Sequence, residues 1–104
     1  MQLTLLAVPG CPNARVLEER LVRLLAGRPE VTVTLRVISD AAEAERWGMR
    51  GSPTLLVDGQ DPFAGPGSGA FLACRLYPAG EGGLDGAPTV SALRDVLKRA
   101  GAVG

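Results

Sequence analysis

Residues 8–14 read Val8-Pro9-Gly10-Cys11-Pro12-Asn13-Ala14, and the interpretation of the whole chain starts from this turn. The preceding stretch, residues 3–8, is apolar and predicts a buried strand. Apolar residues after the turn recur at the 3.6-residue spacing of an amphipathic helix, and Pro12 suits its first position. Cys11 is therefore predicted to be the N-cap residue, at the positive end of the helix dipole, where a cysteine becomes more reactive.

Length and composition restrict the classes of protein to consider. The 104 residues suit one domain, residues 1–104, with a mainly aliphatic core. Eleven basic and eleven acidic residues give a net charge of zero without a basic run, which argues against a nucleic-acid partner. The sequence shows neither a membrane-spanning stretch nor a signal-peptide pattern, so we expect a cytoplasmic protein without a membrane partner. Its oligomeric state is not indicated.

The two cysteines, Cys11 and Cys74, lack the spacing of metal ligands, so the sequence predicts no metal site and no cofactor. The chain contains no histidine, which excludes a Cys-His nucleophile pair. Any cysteine chemistry must therefore depend on another means of activation.

The remaining patterns predict the element order β-α-β-α-β-β-α. Strands are expected over residues 3–8, 31–38, 54–57 and 70–77, helices over 12–26, 40–48 and 90–100, and Gly/Pro-rich loops over 60–69 and 79–87. The first two strands should be parallel, and the last two should form an antiparallel hairpin. Residues 31–38 alternate between apolar and polar side chains, which is typical of an edge strand. The polar face of this strand disfavours pairing between molecules.

The Cys11-Pro12-Asn13-Ala14 turn after the first strand, together with Gly51-Ser52-Pro53-Thr54 before the third, resembles the thioredoxin-like superfamily. The resemblance covers nearly the whole chain and implies an α/β fold with a central mixed sheet of four strands flanked by helices. In that family the corresponding proline is cis and faces the reactive cysteine, and the backbone of the preceding residue pairs with the substrate. This implies that Pro12, Asn13, Ser52, Pro53 and Thr54 bind substrate around the nucleophile Cys11.

The chain departs from the family's Cys-x-x-Cys motif because Ala14 stands at the resolving position. This leaves a protein that acts through one cysteine on a thiol or disulfide substrate, either glutathione or a protein. Cys74 is a candidate resolving cysteine, but two strand spacings, roughly 9–10 Å, would separate its strand from the first. A disulfide requires Cα atoms within about 7 Å, so the topology disfavours this bridge.

Two alternatives from other classes remain open. The first is a binding module that retains the fold and in which Cys11 is inert. The second rests on a weaker resemblance to chains related to alkylmercury lyase, whose chemistry needs two thiolates and a carboxylate on one metal ion. Cys11 and Cys74, with Asp58 or Asp61, are the residues available for such a thiophilic-metal site.

Overall fold

A computed structural model describes residues 1–64, 71–78 and 83–101. Within these ranges the chain is a mixed α/β structure with three helices. The strands are β1 (Gln2–Ala7), β2 (Thr32–Val37), β3 (Arg50–Ser52), β4 (Thr54–Val57), β5 (Phe71–Cys74), β6 (Tyr77–Pro78) and β7 (Leu84–Asp85). The helices are α1 (Pro12–Leu24), α2 (Ala41–Trp47) and α3 (Val90–Arg99).

The principal sheet has the strand order β2-β1-β4. Strands β1 and β2 are parallel in continuous register from Gln2↔Thr32 to Ala7↔Val37, as the sequence predicts for strands joined by a helix. Strand β4 lies antiparallel on the other side of β1. The centre of the sheet is therefore the apolar strand that leads into the turn at Cys11.

The last predicted strands pair differently from the expected hairpin. Strand β5 runs parallel to β3 in a separate two-stranded sheet. Within the described residues the principal sheet therefore has three strands instead of the expected four, and the expected antiparallel β4–β5 hairpin is absent. Pro53 has no N–H to donate and separates β3 from β4, which allows the two segments to take different partners. The long connection after β4 allows β5 to return in the direction of β3, as parallel pairing requires.

The boundaries in this part of the chain also differ from the prediction. The strand expected over residues 70–77 is divided into β5 and β6, and the expected loop over residues 79–87 contains β7, which pairs with β6. Part of the predicted loop at 60–69 and the first residue of the predicted strand lie outside the described residues, as do residues 79–82.

Local sequence signals set the helix ends. Cys11 is the N-cap of α1, and the helix ends two residues earlier than predicted, with Leu25 as its C-cap. The helix expected over residues 40–48 is confirmed as α2: the Asp40 carboxylate caps it by accepting a hydrogen bond from the Glu43 amide at 2.8 Å, and Gly48 ends it in the left-handed conformation. No helix in the described ranges has the length and apolar character needed to cross a bilayer.

The core has two parts because side chains of β1 alternate between the faces of the sheet. Leu3 and Leu5 point to one face, where they pack with α1 and α3. Leu6 points to the other face and packs with residues of α2 and with Met49. Helices α1 and α3 therefore cover one face of the sheet, and α2 covers part of the other.

Candidate functional site

Cys11 ends the turn that leads from β1 into α1. Its amide donates to the Val8 carbonyl at 3.2 Å, and Gly10 takes a φ of 71°, which favours glycine. The thiol is free and partly exposed, and it makes no capping hydrogen bond to the helix. The sulfur is thus accessible beside the unpaired amides of a 13-residue helix, which stabilise negative charge.

A cavity of about 210 Å³ opens beside Cys11, on the side of the molecule that faces β2. Apolar and polar surface contribute about equally to its lining, which carries one charged side chain of each sign. The lining residues are Ala7, Val8, Gly10, Cys11, Ala14, Arg15, Glu18, Leu35 and Val37. The cavity is large enough for a small group attached to the sulfur.

The predicted substrate-binding residues Ser52, Pro53 and Thr54 are buried. The Ser52–Pro53 peptide bond is cis. The Ser52 hydroxyl accepts a hydrogen bond from the Val8 amide at 3.0 Å, and the Thr54 hydroxyl donates to the Gly51 carbonyl at 2.6 Å. These hydroxyl groups therefore act within the fold, and Ser52 in particular anchors the turn that carries Cys11.

The backbone of Ser52 is also engaged. Its carbonyl accepts a hydrogen bond from the Arg75 amide at 3.1 Å, and the ladder places Cys74 opposite Ser52. Strand β5 of the same chain thus occupies the edge at which the resemblance expects a substrate backbone. The side chain of Cys74 lies outside the described part of the chain, so its predicted resolving role stays a prediction.

The other two predicted binding residues flank Cys11 on α1. Pro12 is exposed at the first helical position, and Asn13 is half-buried. The Asn13 amide lies so close to Gly86 that a Cβ atom there would overlap it. Sequence reasoning missed this contact because no local pattern relates the two residues.

A second contact missed by sequence reasoning holds the same turn on α1. Arg20 donates to the Ala87 and Pro88 carbonyls at 3.3 and 2.6 Å, and it pairs with Asp85 at 3.5 Å. The amphipathic spacing of α1 shows only that Arg20 is not a core residue. Its partners are more than sixty residues away in sequence, so no local signal could have identified them.

The two carboxylates considered for a thiophilic-metal site have other partners. The Asp61 side chain is only 1% exposed and lies 2.6 Å from an Arg75 nitrogen, with Arg50 at 3.8 Å. Asp58 accepts a hydrogen bond from the Gln2 amide at 2.9 Å. Within residues 1–64, 71–78 and 83–101, leaving aside the undescribed side chains, no three acidic or cysteine side chains are placed to hold a metal ion.

Tyr77 contacts both Arg75, the partner of Asp61, and Pro53. Its hydroxyl donates to the Pro53 carbonyl, and its ring makes an edge-to-face contact with Phe63 at 5.3 Å. Burial raises the pKa of the Tyr77 phenol; the nearby Arg75 lowers it in part, and Asp61 raises it further. Neither Tyr77 nor these partners belong to the lining of the cavity at Cys11.

No family model, curated protein or solved structure matches this chain. The thioredoxin-like resemblance therefore stays a prediction from the sequence motifs, and the function must be argued from the geometry around Cys11.

Proposed function

We propose that the chain is a thioredoxin-like protein that uses Cys11 as a single nucleophile in thiol–disulfide exchange, with glutathione or a protein thiol as its partner. One observation carries the proposal: the Cys11 thiol is the N-cap of α1, has no capping hydrogen bond and opens onto a cavity. A cysteine retained only for packing would be expected in the interior.

The proposed reaction needs only one protein thiol. The Cys11 thiolate attacks one sulfur of a disulfide, forms a mixed disulfide and releases the other half as a thiolate. A second thiol from solution then attacks the partner sulfur of the mixed disulfide, which returns Cys11 as a thiolate and forms a new disulfide. Because Ala14 stands where a resolving cysteine would be, the reductant comes from outside this motif. A reducing cytoplasm would supply such a thiol, in keeping with the compartment expected from the sequence.

Different groups around Cys11 assist different parts of this reaction. The helix amides stabilise the thiolate before attack, and the apolar surface of Leu35 and Val37 receives the group carried on the second sulfur. Ser52 keeps the turn in place through its hydrogen bond to Val8 and, being buried, acts as a positioning residue.

Alkylation and adduct formation test the proposal. At neutral pH, iodoacetamide should modify Cys11 roughly 3- to 10-fold faster than an unstructured cysteine peptide. Oxidised glutathione should give a mixed disulfide at Cys11, identified by peptide mass spectrometry. The Cys74→Ser variant should retain both reactions, and Cys11→Ser should abolish the adduct.

Each other outcome selects a different function. An alkylation rate equal to that of the peptide, with no adduct, would favour the binding module in which Cys11 is inert. An intramolecular Cys11–Cys74 disulfide after treatment with oxidised glutathione would replace the one-cysteine scheme with a two-cysteine scheme.

A further inference from the structure

Strand β2 is an edge of the principal sheet in the described part of the chain, since it pairs only with β1. The amides of Thr32 and Ile38 donate inward, to the carbonyls of Met1 and Ala7. Backbone groups alternate in direction along a strand, so those of Val33, Leu35 and Val37 point to the open edge. The edge therefore offers three residues whose N–H and C=O groups can pair with another strand.

The polar face of β2 disfavours pairing between molecules, as its sequence indicates, but most other features that prevent such pairing are missing from this edge. Strand β2 contains no proline, glycine or lysine, and its register with β1 is unbroken. Its one charged residue, Arg36, lies on the other face, with its guanidinium carbon 4.0 Å from the centre of the Trp47 ring. The charge is thus held away from the apolar side of the strand.

An apolar patch adjoins the edge. Leu35 and Val37 are 48% and 49% exposed, because α1 covers only the first half of the apolar face of β2. Val22 is 61% exposed. It follows Ala14 and Glu18 at four-residue intervals, so the three side chains lie on the same side of α1. Ala14 and Glu18 line the cavity together with Leu35 and Val37. We define the β2 patch as Val22, Leu35 and Val37; it contains three of the five large apolar residues that the described structure exposes.

We propose that two copies of this chain pair antiparallel through β2, about a two-fold axis at Leu35. This register sets Leu35 opposite Leu35 and Val33 opposite Val37, and it uses every outward-pointing backbone group of the strand. On the other face it sets Arg36 opposite Thr34. An axis at Arg36 would instead oppose two positive charges, and an axis at Thr34 would place Val37 opposite Val31, outside the strand.

The chain's own charge and strand length favour a second copy as the occupant. The apolar face of β2 complements itself, and the net charge of zero gives no long-range repulsion between copies. Six residues per strand with the β2 patch form a small interface, so we expect a reversible dimer of micromolar affinity. The dimer would place Val33 of the second copy beside Val37, and so extend the wall of the cavity at Cys11. The pairing itself does not depend on the thiol chemistry proposed above.

Sedimentation equilibrium of the full chain tests the association. At roughly 10 to 500 µM the wild-type chain should approach twice its mass of 10.8 kDa. Leu35→Lys opposes two positive charges at the axis and should reduce the mass to that of one chain. Leu84→Lys is the matched control, because Leu84 is exposed but lies on β7, and this variant should remain a dimer. A wild-type chain that is monomeric throughout this range would overturn the proposal and leave the edge to a different partner.

Disulfide cross-linking tests the register. The background chain carries Cys11→Ser and Cys74→Ser. In the proposed register the Cα atoms at position 35 of the two copies lie about 5.5 Å apart, so the Leu35→Cys variant should form a disulfide between copies under mild oxidation. The Cα atoms at position 32 of the two copies lie roughly 20 Å apart in the same register, so the Thr32→Cys variant should not form this disulfide. Equal cross-linking of the two variants would indicate parallel association and contradict the two-fold axis at Leu35.

Discussion

Tyr77 shows how a single buried side chain can join several segments of the chain. The residue is buried, its hydroxyl donates to Pro53, and Arg75 lies with its guanidinium carbon 4.6 Å from the ring centre. The same Arg75 pairs with the buried Asp61. Because Tyr77 is the only tyrosine, its ionisation can be followed separately by ultraviolet absorbance.

We predict that the free energy of unfolding decreases as the pH rises above about 10, where a free phenol ionises. The pKa of Tyr77 is raised by burial, so the folded chain keeps this proton while the unfolded chain loses it. The unfolded state then binds fewer protons, and stability falls by up to about 1.4 kcal/mol per pH unit until Tyr77 ionises in the folded state as well. Urea denaturation between neutral pH and about pH 11 measures this slope.

Tyr77→Phe separates this effect from other alkaline titrations. The variant loses the hydrogen bond to Pro53 and should be about 1–2 kcal/mol less stable at neutral pH. Its stability should nevertheless fall less steeply above pH 10 than that of the wild-type chain. Equal slopes for the two proteins would show that Tyr77 does not govern the alkaline decrease.

At the scale of elements, the turn around Gly86 docks on α1 through close packing with Asn13. We predict that Gly86→Ala destabilises the fold by about 1 kcal/mol, because the new methyl group displaces the Asn13 side chain. In an Asn13→Ala background the same substitution should cost less than about 0.5 kcal/mol, since the overlapping amide is gone. A double-mutant cycle by urea denaturation measures the coupling, and additive effects would contradict this contact.

Elements whose signals are local could be predicted from the sequence, and those that depend on distant partners could not. The caps at Asp40 and Thr89 follow from hydrogen bonds within one turn, and the sequence identifies both helix starts. The position of Cys11 follows similarly from the apolar strand before it and Pro12 after it. The pairing of β5 with β3 depends on the path of a long connection, which no local pattern specifies.

Local patterns likewise predict one part of the candidate site and not the other. The position of Cys11 at the start of α1 could be predicted, but the cavity beside it could not, because the cavity exists where α1 leaves Leu35 and Val37 uncovered. Alternation along β2 predicts that these side chains share a face. How far a helix extends over that face depends on packing between elements, which the alternation does not report.

At the scale of the whole molecule, β1 links the two parts of the core. Leu5 packs on the side of α1 and α3, and the next residue, Leu6, packs on the side of α2. The only tryptophan, Trp47, packs against the second part, so its fluorescence reports on the face opposite α3. Loss of packing on either face should therefore be detected on both if the chain unfolds cooperatively.

We predict that Leu93→Ala lowers the free energy of unfolding by about 2–5 kcal/mol, because Leu93 is fully buried under the sheet on α3. The Trp47 fluorescence transition should shift to lower urea concentration by the same amount as the far-ultraviolet circular dichroism transition, although Leu93 and Trp47 lie on opposite faces. Met49→Ala, on the Trp47 face, is the matched control and should also shift both signals together. If Leu93→Ala shifts the circular dichroism transition and leaves the fluorescence transition in place, the two faces unfold separately and β1 does not couple them.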